Sequence, residues 1–237
     1  MENSPQNQTF ARISPGMKKP SPIDPKQTAR KSAFTLIEML IVIAIISLLM
    51  SLLALAVKNA RDMAKGITCM NNIRQGLLAL SIYAGDNGGS YPTWRTEGGE
   101  YWSTRLILGK YLPATTSGMP SVLVCPSEQP KVYLATHLTY GLWTGDAHSN
   151  PGTFISTSDI ESNGASTVVL ADSARFEYNA TWTQSFYIQK EALAELTASS
   201  KTIHLRHRGR GNVGFGDGSV RSAEPADLER LGWGYKK

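Results

Sequence analysis

Only two cysteines occur in the chain, Cys69 and Cys125. They lie too far apart for a CxxC metal or redox motif. Charge is scarce at 18% of residues. It is missing altogether from Met39 to Val57, a stretch that also lacks proline and glycine. No GxxxxGK[ST] segment occurs. Gly209, Gly211, Gly214, Gly216 and Gly218 do not match a phosphate loop, and no strong helix begins after them. No internal repeat is visible. These absences exclude a compact thiol motif, a P-loop nucleotide site and a repeat architecture.

What is present is unevenly distributed. The formal charge is +5. Residues 1–33 hold Arg12, Lys18, Lys19, Lys26, Arg30 and Lys31 against Glu2 and Asp24, which leaves about +1 for everything after them. A nucleic-acid surface needs its basic residues on the folded part, so no nucleic-acid partner is expected. The excess instead precedes the apolar run, as the cytoplasmic flank of a membrane anchor does. Residues 1–33 are proline-rich and show no helix or strand period, which reads as a disordered leader.

The run FTLIEMLIVIAIISLLMSLLALAV occupies residues 34–57. A helix of a soluble domain would need an apolar stripe, yet this one is apolar on every side. A secretory signal peptide has a shorter core, and here the sequence continues as helix. A bilayer core needs about 20 apolar residues, so a retained membrane helix is the expectation. Glu38 interrupts the run, and a carboxylate at that depth needs a partner or a route to the interface.

KSAFTLIEMLIVIAIISLLMSLLALAV resembles the cleavage and methylation segment of type IV prepilins and type II secretion pseudopilins. The resemblance implies cleavage by a prepilin peptidase at Ala33–Phe34, N-methylation of Phe34, and Glu38 as the fifth mature residue. Ala33 stands where the family usually has glycine. Glu38 would face the new amine of a neighbouring subunit, a pairing that offsets the cost of burying either charge alone. The segment ARDMAKGITCMNNIRQGLLALSIYAGDNGGSYP is similar to prepilin-like proteins of planctomycete and verrucomicrobial type. So is the late H-x9-D-G motif, here His207, Asp217 and Gly218. Many of those proteins carry a second histidine where this chain has Ser219.

Beyond Val57, Met70, Ile73, Leu77, Leu80 and Ala84 form one apolar helical face. Asp86-Asn87-Gly88-Gly89 and Pro92 signal the stop. A helix from Phe34 to Ala84 would be roughly 77 Å long. Strands are expected at Ser121–Cys125, within His137–Trp143, at Thr167–Ala171, Thr202–Leu205 and Asn212–Phe215, and from Val220. A short helix is expected over Lys190–Leu196. If the head is exported, Cys69 and Cys125 are candidates for a disulfide.

His207, Asp172, Asp217 and Ser219 are the obvious site material. A Ser/His/Asp triad drawn from them lacks a nucleophile-elbow context, and no enzyme activity is expected. Asp217-Gly218-Ser219 reads as a turn between strands, with His207 hydrogen-bonding across the hairpin. Calcium on aspartate and carbonyl oxygens is the one cofactor considered.

The expected architecture is α+β and pilin-like, a long N-terminal helix on an antiparallel β-sheet head. Residues 1–33 form a cytoplasmic leader, 34–57 a transmembrane helix, 58–85 its amphipathic continuation and 86–237 a β-rich exported head. The expected function is a structural subunit of a pilus-like filament or secretion pseudopilus, with the inner membrane as its site. Its partners would be the prepilin peptidase, like subunits and an inner-membrane assembly platform. The alternative is a monomeric membrane-anchored extracytoplasmic binding module.

Overall fold

The computed structural model of the protein describes residues 34–143, 145, 156–161, 163–176, 182–190 and 200–236. Ala33, the leader and most of the helix expected over Lys190–Leu196 lie outside the described residues. The chain divides into two compact units, Met1–Leu49 and Met50–Lys237.

Helix α1 spans Leu36–Asp86. It opens on a capping box. Thr35 donates its backbone N–H and its hydroxyl to a Glu38 carboxylate oxygen, each at 2.8 Å, and its own Oγ1 accepts the Glu38 N–H at 3.3 Å. Donors left over at the helix start are thereby satisfied locally. In the first unit every side chain from Phe34 to Leu49 is exposed. A helix that is apolar all round and bare of protein needs an apolar solvent. Among the described residues this is the one helix long and apolar enough to cross a membrane, which gives a single-pass anchor.

In the second unit α1 turns amphipathic. Ile73, Leu77, Leu80 and Ala84 are buried as the periodicity predicts, while Cys69 takes the leading position and Met70 is only half-buried. Each such aliphatic side chain contributes about 1.5–3 kcal/mol of burial. Two glycines let α1 approach the sheet. A Cβ on Gly214 would lie 2.7 Å from Leu77 Cδ1 and 2.8 Å from Ile73 Cγ2, and one on Gly76 would lie 2.7 Å from Leu170 Cδ2. The helix stops as expected at Asp86, where Gly88 and Gly89 take positive φ and the Gly89 N–H closes on the Ala84 carbonyl at 2.8 Å.

Among the described residues the head contains two four-stranded sheets. The first runs β1 (Gly141–Leu142), β2 (Val168–Ala171), β6 (Gly211–Phe215), β7 (Val220–Ala223), and all its pairs are antiparallel. The second runs β4 (Trp182–Thr183), β3 (Ser173–Phe176), β5 (Thr202–His204), β8 (Tyr235–Lys236), with only β5–β8 parallel. Short helices α2 (Trp102–Leu108), α3 (Thr157–Glu161) and α4 (Pro225–Arg230) complete the described elements. An α+β pilin-like fold results, a long helix on a largely antiparallel head. Strand β2 is buried on both faces, so its apolar run does not alternate.

One residue separates β2 from β3, and it is Asp172. Its N–H donates to the Asn212 carbonyl on β6 at 2.9 Å, and its carbonyl accepts the His204 N–H on β5 at 2.9 Å. The chain therefore changes sheets at a carboxylate.

The strand expected at Ser121–Cys125 is not formed. Ser121 makes a tight turn instead: its Oγ accepts the Leu123 N–H at 3.2 Å and its carbonyl the Val124 N–H at 3.3 Å. Pro120 and Pro126 flank the segment and cannot donate to a ladder. Leu123, Val124 and Cys125 are buried all the same.

Candidate metal centre

Four segments meet behind the sheet-switching corner. Helix α1 delivers Cys69, one turn before Ile73. The Ser121–Cys125 turn delivers Cys125. The β2–β3 corner delivers Asp172, and the β5–β6 crossover delivers His207. In that crossover the backbones of His207 and Arg210 bond to each other in both directions at 3.0 and 3.2 Å. Arg208 and Gly209 between them adopt φ of 58° and 81°. A left-handed arginine costs about 1–2 kcal/mol, and the turn it permits points the His207 ring inward.

All four side chains are buried, and their ligand-type atoms lie within 4.8 Å of one another. Cys69 Sγ is 2.9 Å from Asp172 Oδ1 and 3.1 Å from the Tyr140 hydroxyl. Cys125 Sγ is 3.4 Å from His207 Nε2, and His207 Nε2 is 3.2 Å from Asp172 Oδ2. Asp172 Oδ2 also accepts the Asn212 N–H at 2.8 Å, and Asn212 Nδ2 donates to the Gly66 carbonyl on α1 at 3.2 Å.

Burial pushes the Cys69 thiol well above its ordinary value, and the neighbouring Cys125 and Asp172 add to this. Burial acts the same way on Cys125, but the hydrogen bonds from Cys69 and His207 and the nearby Arg206 outweigh it and lower that thiol to about 6. For His207 burial opposes protonation, while hydrogen bonds to Asp172 and Cys125 raise it to about 9. Burial also works against ionised Asp172, yet His207 and Arg206 hold it below the ordinary carboxylate value. The cluster thus favours negative charge on Cys125 and Asp172 and positive charge on His207, and the Cys69 thiol donates to Asp172 Oδ1.

Two sulfurs, an imidazole nitrogen and a carboxylate oxygen make a recognised ligand set for a four-coordinate ion. Metal–ligand bonds of about 2.0–2.3 Å in a tetrahedron put ligand atoms roughly 3.3–3.8 Å apart. The 3.2 and 3.4 Å separations lie near that range, and the 2.9 Å between Cys69 Sγ and Asp172 Oδ1 is shorter.

One expectation needs correction here. Cys69 and Cys125 form no disulfide; both are free and buried. Such a bond requires sulfurs about 2.05 Å apart, whereas these two thiols stay separate and hydrogen-bond to Tyr140, Asp172 and His207 as well as to each other. The cluster has the side chains to hold a metal ion, though not specifically calcium, which takes 6–8 oxygens where this set offers two sulfurs, one nitrogen and one carboxylate.

The H-x9-D-G residues separate in space. His207 joins the cluster through its ring and does not brace the following hairpin. Asp217 accepts the Ser219 N–H at 2.9 Å, and Gly218 takes φ of 79°, so the two build the β6–β7 turn as the sequence implies. Ser219 bonds to Phe215 at the far end of β6 from Asn212, and the His207–Asp172 pair is not joined by it. Phe34 and Glu38 belong to the anchor unit. Tyr140, Arg206 and Gln184 surround the cluster and carry no sequence signature.

Residues 28–54 match the prokaryotic N-terminal methylation motif characteristic of type IV pilin-like proteins. No curated protein and no solved structure matches the chain.

Proposed function

We propose that this protein is a membrane-anchored extracytoplasmic binding module of pilin-like build, whose head holds a divalent metal ion on Cys69, Cys125, Asp172 and His207. The buried four-residue cluster carries this reading. An exported domain ordinarily holds a neighbouring cysteine pair as a disulfide. Free thiols sharing a pocket with a histidine and an aspartate are better accounted for as ligands. The basic residues before Phe34 support a cytoplasmic N-terminus, and the methylation motif supports cleavage at Ala33–Phe34 by a prepilin-peptidase-like enzyme.

The H-x9-D-G resemblance acquires a physical meaning on this reading. The histidine is a ligand, and the Asp-Gly pair makes the turn that ends its neighbouring strand. A filament or pseudopilus subunit is the second reading, favoured by Glu38 at the fifth position after Phe34. Metal analysis of the full chain purified in detergent tests the first. About one ion per chain is expected, with loss in Cys69→Ser/His207→Ala; a wild-type chain that is metal-free and takes up none would reject it.

A further inference from the structure

Arg206 stands beside the four ligands. Its Nε donates to His204 Nδ1 at 3.3 Å and its Nη2 donates to the Ser173 carbonyl, while its buried Nη1 has no hydrogen-bond partner. Ser173 directly follows Asp172, and His207 directly follows Arg206. A half-buried guanidinium with one orphaned donor is costly. Electrostatically it favours whatever negative charge the cluster carries.

A divalent ion held by two thiolates, a carboxylate and a neutral imidazole leaves one surplus negative charge. In a buried site that surplus needs compensation. From these residues we infer that the centre is a closed, tetrahedral site for a thiophilic ion of the zinc class, that Arg206 supplies the balancing positive charge, and that the ion joins α1 to both sheets of the head. The inference rests on the metal-binding reading above and deepens it.

The donor set selects the ion. Zinc has no d-electron geometric preference and accepts sulfur, nitrogen and oxygen together. Calcium and magnesium demand more oxygens than this pocket holds. The four protein ligands would fill a tetrahedron, as in structural sites, whereas a catalytic zinc keeps a position open. Tyr140 reinforces the point from the other side, since its hydroxyl lies on Cys69 Sγ within fully buried surroundings and tunes a ligand as outer-shell partners do. Cys69 comes from α1, Asp172 from the junction of the sheets and His207 from the crossover between them, so one ion would fasten all three.

The test uses the full-length chain in detergent, stripped of metal and titrated separately with Zn²⁺, Co²⁺ and Ca²⁺. One equivalent of Co²⁺ should give the intense visible absorption of tetrahedral cobalt together with thiolate-to-cobalt charge transfer. Zn²⁺ should bleach both, and excess Ca²⁺ should leave them unchanged. Arg206→Gln should weaken Zn²⁺ binding by roughly tenfold or more, and Arg206→Lys should recover most of it. A weak octahedral cobalt spectrum, or displacement by Ca²⁺, would overturn this inference and leave the metal-binding reading standing. Failure of all three ions to bind would remove both. Equal Zn²⁺ affinity in wild type and Arg206→Gln would eliminate the countercharge. Should the Gln variant not fold, the wild-type cobalt spectrum still decides the ion class, and loss of Zn²⁺ affinity in a folded Arg206→Lys would decide against a purely electrostatic role.

Discussion

Gln184 holds Cys125 by both ends of its peptide unit: its Oε1 accepts the Cys125 N–H at 2.9 Å, and its Nε2 donates to the Cys125 carbonyl at 3.2 Å. The same Nε2 reaches the Pro130 carbonyl at 2.8 Å. A buried side-chain amide thus stands in for the neighbouring strand that the Ser121–Cys125 turn lacks, and it sets the position of one sulfur.

Gln184→Leu would leave the Cys125 N–H and carbonyl buried without partners. Each orphaned group costs about 1–3 kcal/mol, so a loss of roughly 2–5 kcal/mol in chemical denaturation is expected. Metal affinity should fall as well, because Cys125 would no longer be fixed. A variant as stable as wild type would show that water or another group takes over the amide's bonds.

Asp217 and Asp172 should behave in opposite ways. Asp217→Asn keeps a side-chain acceptor for the Ser219 N–H and should leave metal content unchanged, whereas Asp172→Asn should weaken or abolish binding. A hydrogen bond from Ser219 and the nearby Arg221 hold the Asp217 carboxyl below the ordinary aspartate value of 3.8. Its folded pKa is depressed, so its stabilisation is fully present above pH 3.8 and fades as pH falls through the lower folded value. Subtracting the pH–stability curve of Asp217→Asn from that of wild type should expose a difference that shrinks below pH 3.8. A flat difference would mean that the turn does not depend on the charge.

The observed capping of Thr35 by Glu38 is separable from the pairing proposed for it. Glutamine can replace glutamate in a capping box, so Glu38→Gln should preserve the Thr35 cap and remove only the charge. Thr35→Val should do the reverse, at a cost of about 0.5–2 kcal/mol to the helix start. If Glu38 pairs with the Phe34 amine of a neighbouring subunit, crosslinking between N-terminal helices should drop in Glu38→Gln and persist in Thr35→Val at matched membrane levels. Equal crosslinking in all three proteins would leave Glu38 as a cap alone and favour the monomeric module.

Periodicity made the anchor and the α1 face readable, because a helix writes its burial into every third or fourth residue. Ile73, Leu77, Leu80 and Ala84 follow that rule, and Thr167–Ala171 announced a buried strand by its unbroken apolar run. Ser121–Cys125 misled because buried Leu123, Val124 and Cys125 look the same in a turn as in a strand; the flanking prolines were the available signal. The centre was legible only in pieces. Its ligands have no local spacing, and their proximity depends on the chain switching sheets at Asp172. A charged residue ending the apolar run TVVLAD was the clue, since a carboxylate placed there must be buried with partners. The cysteine pair stands out in the sequence but its chemistry does not, because sequence cannot tell a disulfide from two thiols sharing a pocket with a histidine and an aspartate.

The four residues of the cluster are spread along the chain from Cys69 to His207. No N-terminal fragment that stops short of His207 holds the whole set. Contacts of such long sequence separation form late and slowly. On the proposed topology, a chain threaded across the membrane from its anchored end therefore cannot close the centre before His207 has crossed.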